Sequence, residues 1–174
     1  STDVDKVTKD QTVVIRSHGV GLDVYEKLAK VGAEVIDATC PFVARIHKIA
    51  AEKSGEGYVI LIAGDEAHPE IMGIRGHCSG ESYVFSSCDD FENLVKEKDF
   101  SSKKVAILAQ TTYNKNMWRK CEELFKRYLP EAVVYNTICS ATSERQKEAA
   151  ELAKAADIMI IVGGLHSSNT HKLK

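Results

Sequence analysis

Short, nearly all-apolar runs recur along this chain near residues 12–16, 34–37, 58–63, 82–85, 104–109, 132–135 and 157–162. Between them lie amphipathic stretches near 21–30, 41–54, 88–97, 114–128 and 142–155. Strands alternating with helices predict α/β layers with parallel sheet. Runs such as "YVILIA" and "IMIIVG" lack in–out alternation, which fits a sheet covered on both faces.

The order of elements repeats. One unit reads "TVVIR", the loop "SHGVG", a helix, "EVIDA", Cys40, a helix, "YVILIAG" and the loop "DEAHPE". A second reads "VAILA", the loop "QTTYN", a helix, "VVYNT", Cys139, a helix, "IMIIVGG" and the loop "LHSSN". Cys40 to His68 spans the same 28 residues as Cys139 to Ser167. Such self-similarity predicts pseudo-symmetric units with related residues facing a common centre. Pro41 suits a first helical turn and leaves Cys40 at the N-cap. Ser143 and Gln146 have capping-box spacing.

Composition removes several function classes. The 174 residues are 44% apolar and 28% charged, with a net charge of −2 and no basic stripe for nucleic acid. The apolar runs are too short to span a bilayer. The first residue is Ser and the last stretch, "SNTHKLK", stops where a helix begins, so an internal segment of a longer protein is expected. Five scattered cysteines with no C-x-x-C spacing favour a reducing compartment. Cys121 shares a helical face with Trp118 and Phe125 and is expected in the core. Cys78 and Cys88 are expected as unpaired loop residues.

The unusual polar residues follow strand ends: His18, Cys40, His68, Glu70, Thr111, Cys139, Ser167, Ser168 and Asn169. Ligands of open parallel sheets bind there. "GGLHSSNTHKL" could cradle phosphate on short donors before a helix, or it could be an N-cap cluster with no ligand. "AHPE" is a sharper signal than the lone His18: Pro69 stiffens the chain between His68, which can donate to an anion, and Glu70, which can transfer a proton; the bland alternative is a polar turn with proline at its corner. The H-x-E spacing resembles that of zinc deaminases, but the P-C-x-x-C partner is missing. Cys40 and Cys139 are either corner packing or two thiolates meeting around one metal centre, and periodicity leaves both open. Beside an enzyme, a non-catalytic phospholigand-binding module and a zinc hydrolase therefore stay in play.

Taken together, "VVIRSHGV", "DATCPFV", "AHPEIMGIRGH", "AQTTYN", "ICSATSERQ" and "GGLHSSNTHKL" resemble, in order and spacing, the 4-hydroxy-3-methylbut-2-enyl diphosphate reductase (IspH or LytB) family. The resemblance covers nearly the whole chain. It implies a pseudo-symmetric, trefoil-like α/β fold with short parallel sheets: residues 1–40 in a first domain, 41–137 a second and 138–174 part of a third. It implies a [4Fe–4S] cluster held by three cysteines, with Cys40 and Cys139 two of them and the third outside this segment. The implied reaction is removal of the substrate hydroxyl as water, giving isopentenyl and dimethylallyl diphosphate in the methylerythritol phosphate pathway. Glu70 and Thr111 would be catalytic, and His18, His68, Ser167, Ser168 and Asn169 would hold the diphosphate. A ferredoxin- or flavodoxin-like electron donor and a cytoplasmic location are implied, with neither nucleic acid nor membrane as partner. The segment alone is not expected to turn over.

Overall fold

The computed structural model describes residues 3–164, 170 and 173, with the side chains of residues 142 and 143 left aside. After a 3-10 turn at Val4–Lys6 the order is β1 (Thr12–Ile15), α1 (Leu22–Val31), β2 (Glu34–Asp37), α2 (Pro41–Gly55), β3 (Val59–Ala63), α3 (Pro69–Arg75), β4 (Ser82–Phe85), α4 (Cys88–Glu97), β5 (Val105–Ala109), α5 (Lys115–Tyr128), β6 (Val133–Val134) and α6 (Ser140–Ala155). It divides into one compact unit over Ser1–Thr137 and another over Ile138–Lys174. The expected α/β class with short parallel sheets is what the chain forms.

The first unit holds two sheets. β1 and β2 pair in parallel, with Thr12 opposite Glu34 and Ile15 opposite Asp37. The other sheet has the order β4-β3-β5-β6, all parallel. Its two central strands, β3 and β5, are buried at every position. That is why their sequences are continuous apolar runs: helices cover both faces, so no position is left for a polar side chain. Ile46 and Ala50 of α2, Ile71 and Ile74 of α3, and strand residues Ile60, Ile62, Ala106 and Leu108 form one core cluster. Phe85, Phe91, Trp118 and Phe125 make edge-to-face ring contacts between α4, α5 and β4.

The sheet order sets where a site can form. From β3 the chain leaves through α3 toward one edge, and from β5 it leaves through α5 toward the other. The connections after β3 and β5 therefore diverge at the carboxyl ends of these strands, the place where ligands bind in open α/β sheets.

Four expectations are corrected. "DEAHPE" is not loop throughout: a turn at 66–67 leads to His68 as N-cap and Pro69 as the first residue of α3, a position where proline's missing N–H costs nothing. Cys88 is no unpaired loop residue; it opens α4 and is disulfide-bonded to Cys121 of α5, with Cα atoms 5.3 Å apart. The two helices pack side by side, which brings together cysteines that no local motif links. The run at 157–162 is not a strand, because no neighbouring strand pairs with it among the described residues; Ile158, Ile160 and Val162 are exposed. The capping box also fails, since α6 starts at Ser140 with Cys139 as N-cap, which puts Ser143 inside the helix.

Candidate functional site

Past the carboxyl ends of β3 and β5, His68 and Thr111 gather around Glu70. Its side chain is buried, only 1% exposed, in the first turn of α3. Thr111, just past β5, donates its backbone N–H to one carboxylate oxygen at 2.6 Å and its hydroxyl to the other at 2.7 Å. A buried carboxylate is tolerable only when its oxygens are satisfied in this way. The α3 N-terminus adds a favourable dipole.

Gln110 holds the two diverging loops together. It is buried; its Oε1 accepts the Asp65 N–H at 3.1 Å and its Nε2 donates to Thr112 Oγ1 at 3.1 Å. Its own N–H donates to Ala63 O at 2.8 Å, which extends the β3–β5 ladder by one rung. Thr137, after β6, closes the other flank through Ala109. Sequence reasoning passed over Gln110, although a polar residue closing an all-apolar strand was the available signal.

His68 caps α3. Its Nδ1 accepts the Glu70 N–H at 3.1 Å. That bond assigns the neutral tautomer with the proton on Nε2, so the outward nitrogen is a donor. His18, in the loop after β1, meets His68 edge to face with ring centroids 5.3 Å apart. Its Nδ1 is buried without a hydrogen-bond partner on the protein. Burial, then the neighbouring His68 and Arg16, holds the His18 pKa below the ordinary 6.5, while Glu70 pulls the other way. Two imidazoles with unspent donor capacity beside a buried carboxylate suit an anion carrying several acceptor oxygens.

Of the sequence-derived site residues, the fold brings His18, His68, Glu70 and Thr111 together. Cys40 is a half-buried free cysteine at the N-cap of α2, its N–H bonded to Ser17 O at 3.0 Å, directly beside the His18 loop. Cys139 has the same place at the N-cap of α6, in the other compact unit, and is also free and half-buried. Neither thiol caps its helix, so each sulfur is available, and the positive helix end suits a negatively charged sulfur ligand. Among the described residues no three metal-ligating side chains converge. Ser167, Ser168 and Asn169 lie outside the described residues. Cys78 is half-buried after α3, its thiol pKa pushed up to about 11 by burial, as suits packing and not ligation. No described helix is long and apolar enough to cross a membrane.

The LytB protein family matches this chain over residues 1–174. The chain belongs to that family. A Thermoanaerobacter sp. (strain X514) protein named 4-hydroxy-3-methylbut-2-enyl diphosphate reductase is 42% identical over 172 residues, covering 99% of this chain and 58% of that protein. A Clostridioides difficile (strain 630) protein of the same name is 40% identical, covering 98% of this chain and 60% of its own length. A solved structure of (E)-4-hydroxy-3-methyl-but-2-enyl diphosphate reductase, described as the terminal enzyme of the non-mevalonate pathway, superposes with a TM-score of 0.77 at 36% identity over 99% of this chain and 60% of that one. The Plasmodium falciparum reductase gives 0.81 at 27% identity, over 98% of this chain and 54% of that chain. The chain thus spans somewhat over half the length of each of these four relatives.

Proposed function

We propose that this LytB chain carries much of the active site of a 4-hydroxy-3-methylbut-2-enyl diphosphate reductase. The observation that carries the reading is the edge-to-face contact of His18 with His68 beside the buried, hydrogen-bonded Glu70–Thr111 pair. The family match and the names of its relatives supply the substrate. In the overall reaction two electrons and two protons enter, the C–O bond to the hydroxyl breaks, and water leaves with isopentenyl or dimethylallyl diphosphate as product.

His18 and His68 donate to the diphosphate, joined by Ser167, Ser168 and Asn169. Charge-assisted bonds to an anion are the strong kind. Thr111 orients the substrate hydroxyl, and Glu70 relays protons toward the departing oxygen. Cys40 and Cys139 are two ligands of a [4Fe–4S] cluster, and thiolates at helix N-caps fit that donor chemistry. When bound, the cluster supplies the electrons and a Lewis-acidic iron. A ferredoxin- or flavodoxin-like protein in the cytoplasm delivers the electrons. Residues 1–40 belong to a first domain, 41–137 to a second and 138–174 to a third, and the 174-residue chain by itself does not turn over.

The zinc-hydrolase reading loses ground, because a catalytic zinc needs three protein ligands and no such set converges among the described residues. The deciding experiment is anaerobic purification of the intact protein as the cell makes it, beside its Cys40→Ser variant. Iron and acid-labile sulfide of about four each per chain, depleted by the substitution, are expected. Protein without iron after oxygen-free handling would overturn the cluster assignment and bring the phospholigand-binding module forward.

A further inference from the structure

His18 sits on the loop of one sheet and His68 on a helix of the other, so something must hold the two in register. The loop 17–21 makes its contacts with α2 and α3 through an unusual set of residues. His47 of α2 and His77, two residues past α3, stack with ring centroids 4.2 Å apart and planes 22° from parallel. His77 Nε2 is 3.0 Å from Val20 O, and since a carbonyl only accepts, this nitrogen carries the proton. Leu22 N–H donates to Gly76 O at 3.2 Å.

Glycines make room on every side. Gly19 has a φ of +66°, and a Cβ there would run into the His47 ring. At Gly73 a Cβ would lie 3.1 Å from His47 Nε2 and 3.4 Å from His18 O. Gly21 and Gly76 approach backbone to backbone. His47 is 5% exposed, and its Nε2 has no hydrogen-bond partner on the protein. An aliphatic side chain would avoid that buried polar atom. A flat ring thin enough to lie between two glycines and a second imidazole is what the space takes.

We propose that the stacked His47–His77 pair is a clasp that positions His18: it seats the 17–21 loop on α2 and α3 and so sets the spacing of the His18 and His68 rings. The pair touches no reacting atom; it acts through the Val20 carbonyl and the Gly19 backbone. The proposal rests on the reading of His18 as a diphosphate contact.

The test uses the intact protein, with inorganic pyrophosphate as probe in calorimetry and amide hydrogen exchange as a second readout. His77→Leu fills the ring's space without a donor, whereas His77→Gln returns an N–H where Nε2 was. Loss of one hydrogen bond at a seated loop should weaken pyrophosphate about fivefold in His77→Leu, with recovery to about twofold of wild type in His77→Gln. The Gly19 and Leu22 amides should exchange faster by a similar factor in His77→Leu while β3 and β5 stay protected. In turnover, KM should rise with kcat unchanged. Equal pyrophosphate affinity in His77→Leu and wild type, when His18→Ala does weaken binding, would overturn the clasp. If His18→Ala binds like wild type, the fault lies in the diphosphate reading. The exchange rates then decide the clasp by themselves: faster supports it, unchanged refutes it.

Discussion

Lowering the pH from 8 to 5 should destabilise the first compact unit by about 2 kcal/mol through His47 alone. Burial, then the stacked His77, pushes its pKa from the ordinary 6.5 down to about 4, with Asp37 opposing. Tyr25 and Lys48 line the same shallow cleft, and neither offers the ring a hydrogen bond. Because the folded-state pKa is the lower one, the unfolded chain binds the proton first. Stability is therefore unaffected above pH 6.5, falls between 6.5 and 4, and levels off below 4. At pH 5 the unfolded histidine is almost fully charged and the folded one about a tenth charged, which at about 1.4 kcal/mol per tenfold gives the figure above. The chain's single tryptophan, Trp118, is buried in the same unit and reports its unfolding in urea. Wild type and His47→Leu would be melted at both pH values and the two pH effects subtracted. His18 and His77, also depressed by burial, remain in both proteins. If both proteins lose the same stability over that interval, His47 is not desolvated as described.

Glu70→Gln should keep the fold, because the amide oxygen can accept the Thr111 N–H while its NH2 donates to the Thr111 hydroxyl, yet lower kcat by about a hundredfold or more if Glu70 moves the proton; an unchanged rate would remove Glu70 from the chemistry. Gln110→Ala frees the Asp65 N–H, so exchange at that amide should accelerate about tenfold while β5 stays protected; unaltered exchange would mean the loops are tied elsewhere. Cys88→Ser opens a covalent loop of 33 residues and should lower stability by about 3 kcal/mol, read by the Trp118 urea midpoint. A reductant should bring wild type to the same midpoint, and a midpoint insensitive to both would show that the bond contributes nothing.

Legibility tracked the range of the interaction involved. β3 and β5 could be read because burial on both faces leaves an unbroken apolar run. The helices over 41–54, 88–97 and 114–128 fell within a residue or so of α2, α4 and α5, since caps and faces are local. α3 was lost because it has seven residues and opens on polar side chains. The strand at 157–162 was read from its composition, but a strand exists only beside a partner. The same division runs through the site. His18, His68, Glu70 and Thr111 stood out as polar residues after strands. That Glu70 and Thr111 meet depends on the order β4-β3-β5-β6, and the Cys88–Cys121 bond depends on which helices pack side by side. Nothing local sets His47 and His77 apart from any helix or loop histidine; only the glycines packed against them give them meaning.

The Thr111 hydroxyl has one hydrogen, and Glu70 has claimed it. While that carboxylate is charged, the oxygen can turn only lone pairs outward, so a neighbouring group must give it a hydrogen. Put a proton on the carboxyl oxygen facing Thr111, and the bond reverses: the acid donates, and the threonine hydrogen swings free to be given away. One rotation of one hydroxyl thus switches the outer surface from receiver to giver. A molecule resting against Thr111 would sense the charge of a buried acid it never touches.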